Sequence, residues 1–220
     1  MAVMALRGAS GGYGRGMRGP SPVTTGARNP VPEKCHSAIA TTRGYLKLQG
    51  AARAFHFDFR GKTVLDIGSS TGGFTEYALD HGAKKVIAVE KGTNQMKPPL
   101  RYNPHIDLHE KTDIFDFNLS DEIDTVVADV SFISLKPILK YLKQLPHTDL
   151  LMMLKPQFEA AQSQLNNGIV KNKKIRREII KQFEAWLKQN DFIIINKYDN
   201  KLSGKNGNVE RFYWLKSSKK

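Results

Sequence analysis

Residues 64–75, VLDIGSSTGGFT, carry an acid, Asp66, at the end of an apolar run and then a turn of small residues: Gly68, Ser69, Ser70, Thr71, Gly72 and Gly73. A strand, a glycine-rich turn and a helix start in this order bring backbone close to a nucleotide-like ligand, with glycines removing side chains where contact is tight. Glu90 ends the next apolar run, KKVIAVE. A carboxylate at that place accepts both hydroxyls of a bound ribose, so the pair of segments implies an adenosine-bearing cofactor.

Spacing separates the cofactor classes. A phosphate-binding NTPase loop needs Gly-Lys followed by Ser or Thr, whereas Gly73 is followed by Phe74 and Thr75. A dinucleotide oxidoreductase expects glycine two positions after Gly68, where Ser70 stands. Asp66 would repel a pyrophosphate, but it suits the amino group of methionine or balances a sulfonium. S-adenosylmethionine fits this pattern best. A tight strand-to-helix connection without any ligand is the plain alternative.

The elements that must position these residues follow in alternation: TVLDIG, GFTEYALDHG, KKVIAVE, HIDLHE, IDTVVADV. Strand and helix in turn imply a parallel sheet covered by helices, and the wholly apolar VIAV and VVA suit buried parallel strands. Helices are expected from Ser134 to Leu145, with Leu135, Ile138, Leu139, Leu142 and Leu145 on one face, and around Ile175, Ile179, Phe183, Trp186 and Leu187. The other side of the second helix carries Lys171, Lys173, Lys174, Arg176 and Arg177, either a solvated face or a track for a phosphate backbone. The closing DFIIINKY and NVERFYWL, joined through SGKNGN, read as two strands adding an antiparallel pair at the sheet edge.

A chain of 220 residues fits one domain with tails. We expect a disordered basic arm over 1–32, holding Arg7, Arg15, Arg18 and Arg28 and no acid, a folded domain over 33–216, and a basic tail at 217–220. The arm also resembles an organelle transit peptide, without clear amphipathic periodicity. The net charge of +13 points to a polyanionic partner. Apolar runs such as LLMML and FIII are far too short to span a bilayer. The single cysteine, Cys35, closes no intrachain disulfide and suits a reducing, cytoplasmic setting, and the six histidines show no metal-ligand spacing.

RGYLKL at 43–48, DIGSSTGGFT at 66–75, ADVSFISL at 128–135, LKPQFEA at 154–160, NNGIV at 166–170 and GNVERF at 207–212 together resemble the TlyA branch of the FtsJ-like RNA methyltransferases. The resemblance implies an α/β, Rossmann-like class I methyltransferase: a mostly parallel seven-stranded sheet with an antiparallel edge and helices on both faces. It implies S-adenosylmethionine as cofactor and methylation of a ribose 2'-hydroxyl, of cytidine in ribosomal RNA or assembled ribosomal subunits. The family's Lys, Asp, Lys, Glu tetrad falls on Lys47, Asp129, Lys155 and Glu210, with Asp129 also near the methionine end of the cofactor and Asp113 at the adenine amino group. Arg43 and Phe158 would face RNA, the latter as a stacking ring. A ribose hydroxyl is a poor nucleophile, so it needs a base or polarising group at about 3 Å and in-line placement. Lys155 is the candidate for that role, Lys47 its neighbour, and the carboxylates hold the two amines together.

Relatives of that branch begin with a small RNA-binding domain, where this sequence shows the Arg- and Gly-rich arm. The family has also been labelled haemolysin, which sets a cytolytic protein, and beside it an inactive RNA-binding module, as the other readings. A cytolysin calls for an exposed amphipathic insertion element.

Overall fold

The computed structural model describes residues 42–119, 122–145, 148–202, 204 and 207–217. The arm expected over 1–32, Cys35 and residues 218–220 of the tail lie outside them.

The first helix, α1 (Arg43–Phe55), precedes the alternation read from the sequence. Thr42 opens it by accepting the Tyr45 N–H on its hydroxyl at 3.2 Å, which satisfies one of the unpaired first-turn donors. His56 closes it in the left-handed region, at φ 52°. Leu48, Ala51, Ala52 and Phe55 form its buried stripe, the i, i+3, i+4, i+7 spacing of a helix lying on a core.

Then come β1 (Thr63–Ile67), α2 (Gly73–Asp80), β2 (Lys85–Glu90), β3 (Ile106–Glu110), β4 (Thr125–Ala128), α3 (Leu135–Leu142), β5 (Asp149–Leu154) and the single turn α4 (Pro156–Glu159). A two-stranded hairpin, β6 (Leu165–Asn166) with β7 (Ile169–Val170), leads to α5 (Lys173–Gln189), β8 (Phe192–Asp199) and β9 (Arg211–Ser217). The seven-stranded sheet runs β3-β2-β1-β4-β5-β9-β8. All pairs from β3 to β5 are parallel, and β9 lies antiparallel between β5 and β8. The expected antiparallel addition is thus present, with the reversed strand inside and β8 as the outer edge.

Strand alternation sorts the core into two layers. Leu65, Ile67, Val126 and Ala128 pack with Leu135, Ile138 and Leu139 of α3 and Phe183 and Leu187 of α5. Val64 and Val127 pack on the other face with Leu48 and Phe55 of α1 and Phe74 of α2. Each such large side chain, fully buried, contributes on the order of 2 kcal/mol. Chain order reverses between β1 and β4, and the crevice outside the carboxyl ends of strands at such a point is where open α/β sheets bind ligands.

Candidate active site

A cavity of about 790 Å³ lies at those strand ends, within the roughly 300–1,000 Å³ of small-molecule sites. The turn after β1 builds one wall. Gly68 and Ser69 donate their N–H groups to the Val89 carbonyl at 2.9 and 3.3 Å, and Gly72 donates to Ser69 O at 2.8 Å. Gly68 adopts φ 76°, which strains any other residue, and a Cβ there would stand 3.2 Å from Asp129 O, a tight contact between the ends of β1 and β4. Gly68, Ser69, Ser70, Thr71 and Gly73 line the cavity, as do Glu90, Asp113 and Asp129.

Two members of the expected cofactor set act from behind that wall. Asp66 is fully buried and accepts the Thr75 hydroxyl at 2.6 Å. Burial pushes its carboxyl up to about 7 against that hydrogen bond, and the nearby Asp129 adds to the rise. Gly72 supports the opposite side, because a Cβ on it would collide with Leu100 Cδ2. Gly73 owes its identity to α1 as well as to the cavity, since a Cβ there would stand 2.7 Å from Tyr45 N.

The donor set fits the expected cofactor. Ser69 Oγ is buried without a protein partner although its residue lines the cavity, a polar atom in need of a ligand. Glu90 accepts Ser70 N at 2.9 Å and Gly92 N at 2.6 Å, one on each oxygen, which leaves lone pairs for two ribose hydroxyls. Asp113 accepts Phe115 N on one oxygen and Lys91 Nζ, at 2.9 Å, on the other. The Lys91 ammonium holds its carboxyl below the usual range.

Sequence reasoning missed Glu110, which ends β3 and organises the loop above this wall. Its oxygens accept the N–H groups of Asn94, Gln95 and Met96 at 2.8, 2.7 and 3.2 Å and the Arg101 guanidinium at 3.0 Å. Arg101 first, then those amides, hold its carboxyl down at about 2.

The four residues of the expected tetrad come together. Lys47 from α1 sits 2.6 Å from Glu210, which immediately precedes β9, and 3.9 Å from Asp129, which immediately follows β4. Lys155, the residue after β5, sits 2.6 Å from Asp129 and donates to Ser131 Oγ at 2.7 Å. Two ammonium groups and two carboxylates thus alternate in one chain, Glu210–Lys47–Asp129–Lys155. Lys47 and Glu210 are buried, at 8% and 2% exposure, and removing one partner of such a pair costs about 3–5 kcal/mol because the other charge stays behind. Lys47, Asp129 and Lys155 line the cavity, while Glu210 stands behind Lys47.

Beside them Phe132 is 92% exposed and left-handed, at φ 66°, a backbone conformation that costs a bulky residue energy. Phe158, the ring picked from the sequence, is half-buried with its centroid 5.3 Å from that of Phe132. Half-buried Glu159, its side chain 3% exposed, joins the two segments by accepting Ser134 Oγ and Leu135 N, each at 2.8 Å. Arg43 opens α1 at the cavity edge, and Lys173, Lys174 and Arg177 are exposed on the first turns of α5. Arg176 departs from its expected place in that basic face: its guanidinium turns inward to Asp199 and to the Val209 carbonyl.

Sheet order, a cavity at the strand reversal and a glycine turn facing a carboxylate on the neighbouring strand define a class I methyltransferase fold. Residues 40–217 match the FtsJ-like methyltransferases. The 23S rRNA (cytidine-2'-O)-methyltransferase TlyA of Campylobacter jejuni is 35% identical over 180 residues, 81% of this chain and 71% of that protein. The 16S/23S rRNA (cytidine-2'-O)-methyltransferase TlyA of Mycobacterium tuberculosis is 35% identical over 182 residues, 80% of this chain and 68% of that protein. A Streptococcus thermophilus structure named a hemolysin superposes with a TM-score of 0.76 at 32% identity, over 84% of this chain and 70% of that one. The chain belongs to the FtsJ-like methyltransferase family. Among its described residues no helix is long and apolar enough to cross a membrane.

Proposed function

We propose that this chain uses S-adenosylmethionine to methylate a ribose 2'-hydroxyl of cytidine in ribosomal RNA. The observation that carries the reading is the alternating Glu210–Lys47–Asp129–Lys155 chain at the edge of a cavity fit for adenosine. Glu90 would hold the cofactor's ribose hydroxyls, Asp113 its adenine amino group, and Ser69 with Asp129 the methionine end. A bound cofactor would supply an electrophilic methyl group on a sulfonium, with the neutral thioether as leaving group.

Lys155 Nζ, fixed by Asp129 and Ser131, is the group that takes hold of the substrate hydroxyl. The ammonium would pass one proton to the Asp129 carboxylate, 2.6 Å away, and the neutral amine so formed would take the hydroxyl proton as that oxygen bonds to the methyl carbon. Lys47 and Glu210 keep Asp129 in place and the cluster neutral. Phe132, projecting from the same loop as Ser131, offers a stacking platform for a base, worth about 1–3 kcal/mol. Arg43, Lys173, Lys174 and Arg177 would take phosphates, in line with the net charge of +13. The cytolytic reading draws no support from the helices, because the apolar faces of α3 and α5 are spent on the core.

The test is methyl transfer to ribosomal subunits with sugar methylation mapped on the product. Lys155→Ala is expected to lower single-turnover methylation about 10²- to 10⁴-fold with calorimetric cofactor affinity close to wild type. A wild-type product without ribose methylation would refute the proposal, and equal loss of affinity and turnover would remove Lys155 from the chemistry.

A further inference from the structure

The charged network does not stop at Glu210. Arg176, on α5, donates from Nε to the Val209 carbonyl at 3.1 Å and from Nη2 to Asp199 Oδ1 at 2.6 Å. Asp199 also receives Arg211 on both oxygens, at 2.7 and 2.9 Å, so one carboxylate is shared by two guanidinium groups. Asn200, the next residue, donates its N–H to the Glu210 carbonyl at 2.9 Å. Residues 209, 210 and 211 are therefore each held, by a carbonyl, a carbonyl and a side chain in turn, and Arg176 with Asp199 supplies two of the three holds.

Alternation along β9 gives these holds a direction. Phe212 packs in the layer with α1, while Tyr213 packs in the layer with α5. Glu210 shares its side of the strand with Phe212, and its carboxylate meets Lys47 of α1. Arg211 shares the side of Tyr213, and it meets Glu184 of α5 at 3.3 Å as well as Asp199. The side chain of Arg176 is 17% exposed, with Nε and Nη2 already engaged inside the protein.

We propose that Arg176 is a positioning residue: through Asp199 and the Val209 carbonyl it fixes the entry of β9, which presents Glu210 to Lys47, and so it acts on methyl transfer from the opposite face of the sheet. The role in turnover rests on the proposed ribose methylation; the hold on Lys47 does not.

Arg176→Gln, Glu210→Gln and the double variant, each as the full chain, are compared in three measurements. The first is turnover at saturating cofactor and RNA. The second is acetylation of Lys47 by an amine-reactive reagent without cofactor, read by mass spectrometry. The third is the salt dependence of RNA binding. Arg176→Gln is expected to lower turnover about tenfold to a hundredfold, as misplacement of a reacting group does, and the double variant to fall no further than Glu210→Gln alone. Lys47 should acetylate faster in both single variants, Arg176→Lys should recover part of the turnover, and the salt slope should not move. Additive losses in the double variant, unchanged Lys47 acetylation, or a slope smaller by about one would overturn the proposal. Asp199→Asn enters the same cycle if Arg176→Gln does not fold. A wild type that methylates no ribose defeats the functional reading alone, since Lys47 acetylation still decides this one.

Discussion

The two halves of the site are built by different means. On the cofactor side, the loops after β1, β2 and β3 offer backbone and carboxylates within a continuous stretch from Gly68 to Asp113. On the catalytic side, four side chains arrive from positions 47, 129, 155 and 210 and balance one another's charge. The first half depends on how closely backbone can approach, so adding an atom to a glycine damages it. The second depends on charge pairing held from outside the cavity, so removing a charge, even a remote one, damages it.

The residue where both dependences meet should give the largest effect. A Cβ on Gly73 would stand 2.7 Å from Tyr45 N and 2.5 Å from the Thr42 hydroxyl that caps α1. Helix propensity favours alanine over glycine by about 1 kcal/mol, but an enforced shift of packed backbone costs about 1–3 kcal/mol. The clash wins, and the element that moves is the one carrying Lys47. Gly73→Ala is expected to lower turnover at least about a hundredfold and to lower the melting temperature. Wild-type turnover in this variant would mean that α1 is not fixed by its contact with α2.

The sequence made the cofactor half readable because its demands fall on residue types: a positive φ at Gly68, a close approach at Gly73, a carboxylate closing β2. The catalytic half was readable only as a resemblance, since no local pattern says that positions 47 and 210 touch. Helix α1 escaped the periodicity argument because two of its buried positions are alanines, Ala51 and Ala52, and Gly44 and Gly50 interrupt it. Phe132 carries no mark of its left-handed backbone, which glycine ordinarily announces. Arg176 did leave a signal. It stands i−3 and i−4 from buried Ile179 and Ile180, on the flank of the apolar stripe, whereas the charge run around it drew attention to its sign alone.

Glu110 offers a milder probe confined to the cofactor half. It holds residues 94–96 and Arg101, while buried Met96 and half-buried Leu100 pack against Gly72. Glu110→Gln loses the charge in those bonds, each worth about 1.5–3 kcal/mol when charge-assisted. Calorimetric cofactor affinity should weaken about tenfold, with turnover at saturating cofactor retained. The pH dependence has a definite sign: the folded carboxyl is held down at about 2, so its contribution is present above the ordinary glutamate value and is lost as pH falls toward 2. The gap in melting temperature between wild type and Glu110→Gln should therefore be present at neutral pH and close on acidification. A turnover defect that saturating cofactor does not repair would show that the loop also serves the catalytic half.

The smallest effect belongs to the face that neither half uses for chemistry. Lys173 and Lys174 occupy the first turn of α5, just after the Asn172 cap that accepts Ile175 N at 2.9 Å. Positive charge there opposes the helix dipole at about 0.3–1 kcal/mol per residue, so helix stability does not account for it. The same turn leads to Arg176 and hence to the strand entry that carries Glu210. Replacing both by glutamine should reduce the salt slope of RNA binding by about 1.4–1.8, two phosphate contacts at 0.7–0.9 each. Melting temperature should hold or rise slightly, and turnover at saturating RNA should stay at the wild-type value. An unchanged slope would return both lysines to an ordinary solvated surface, and a loss of turnover at saturation would extend the charge-balanced half of the site outward to α5.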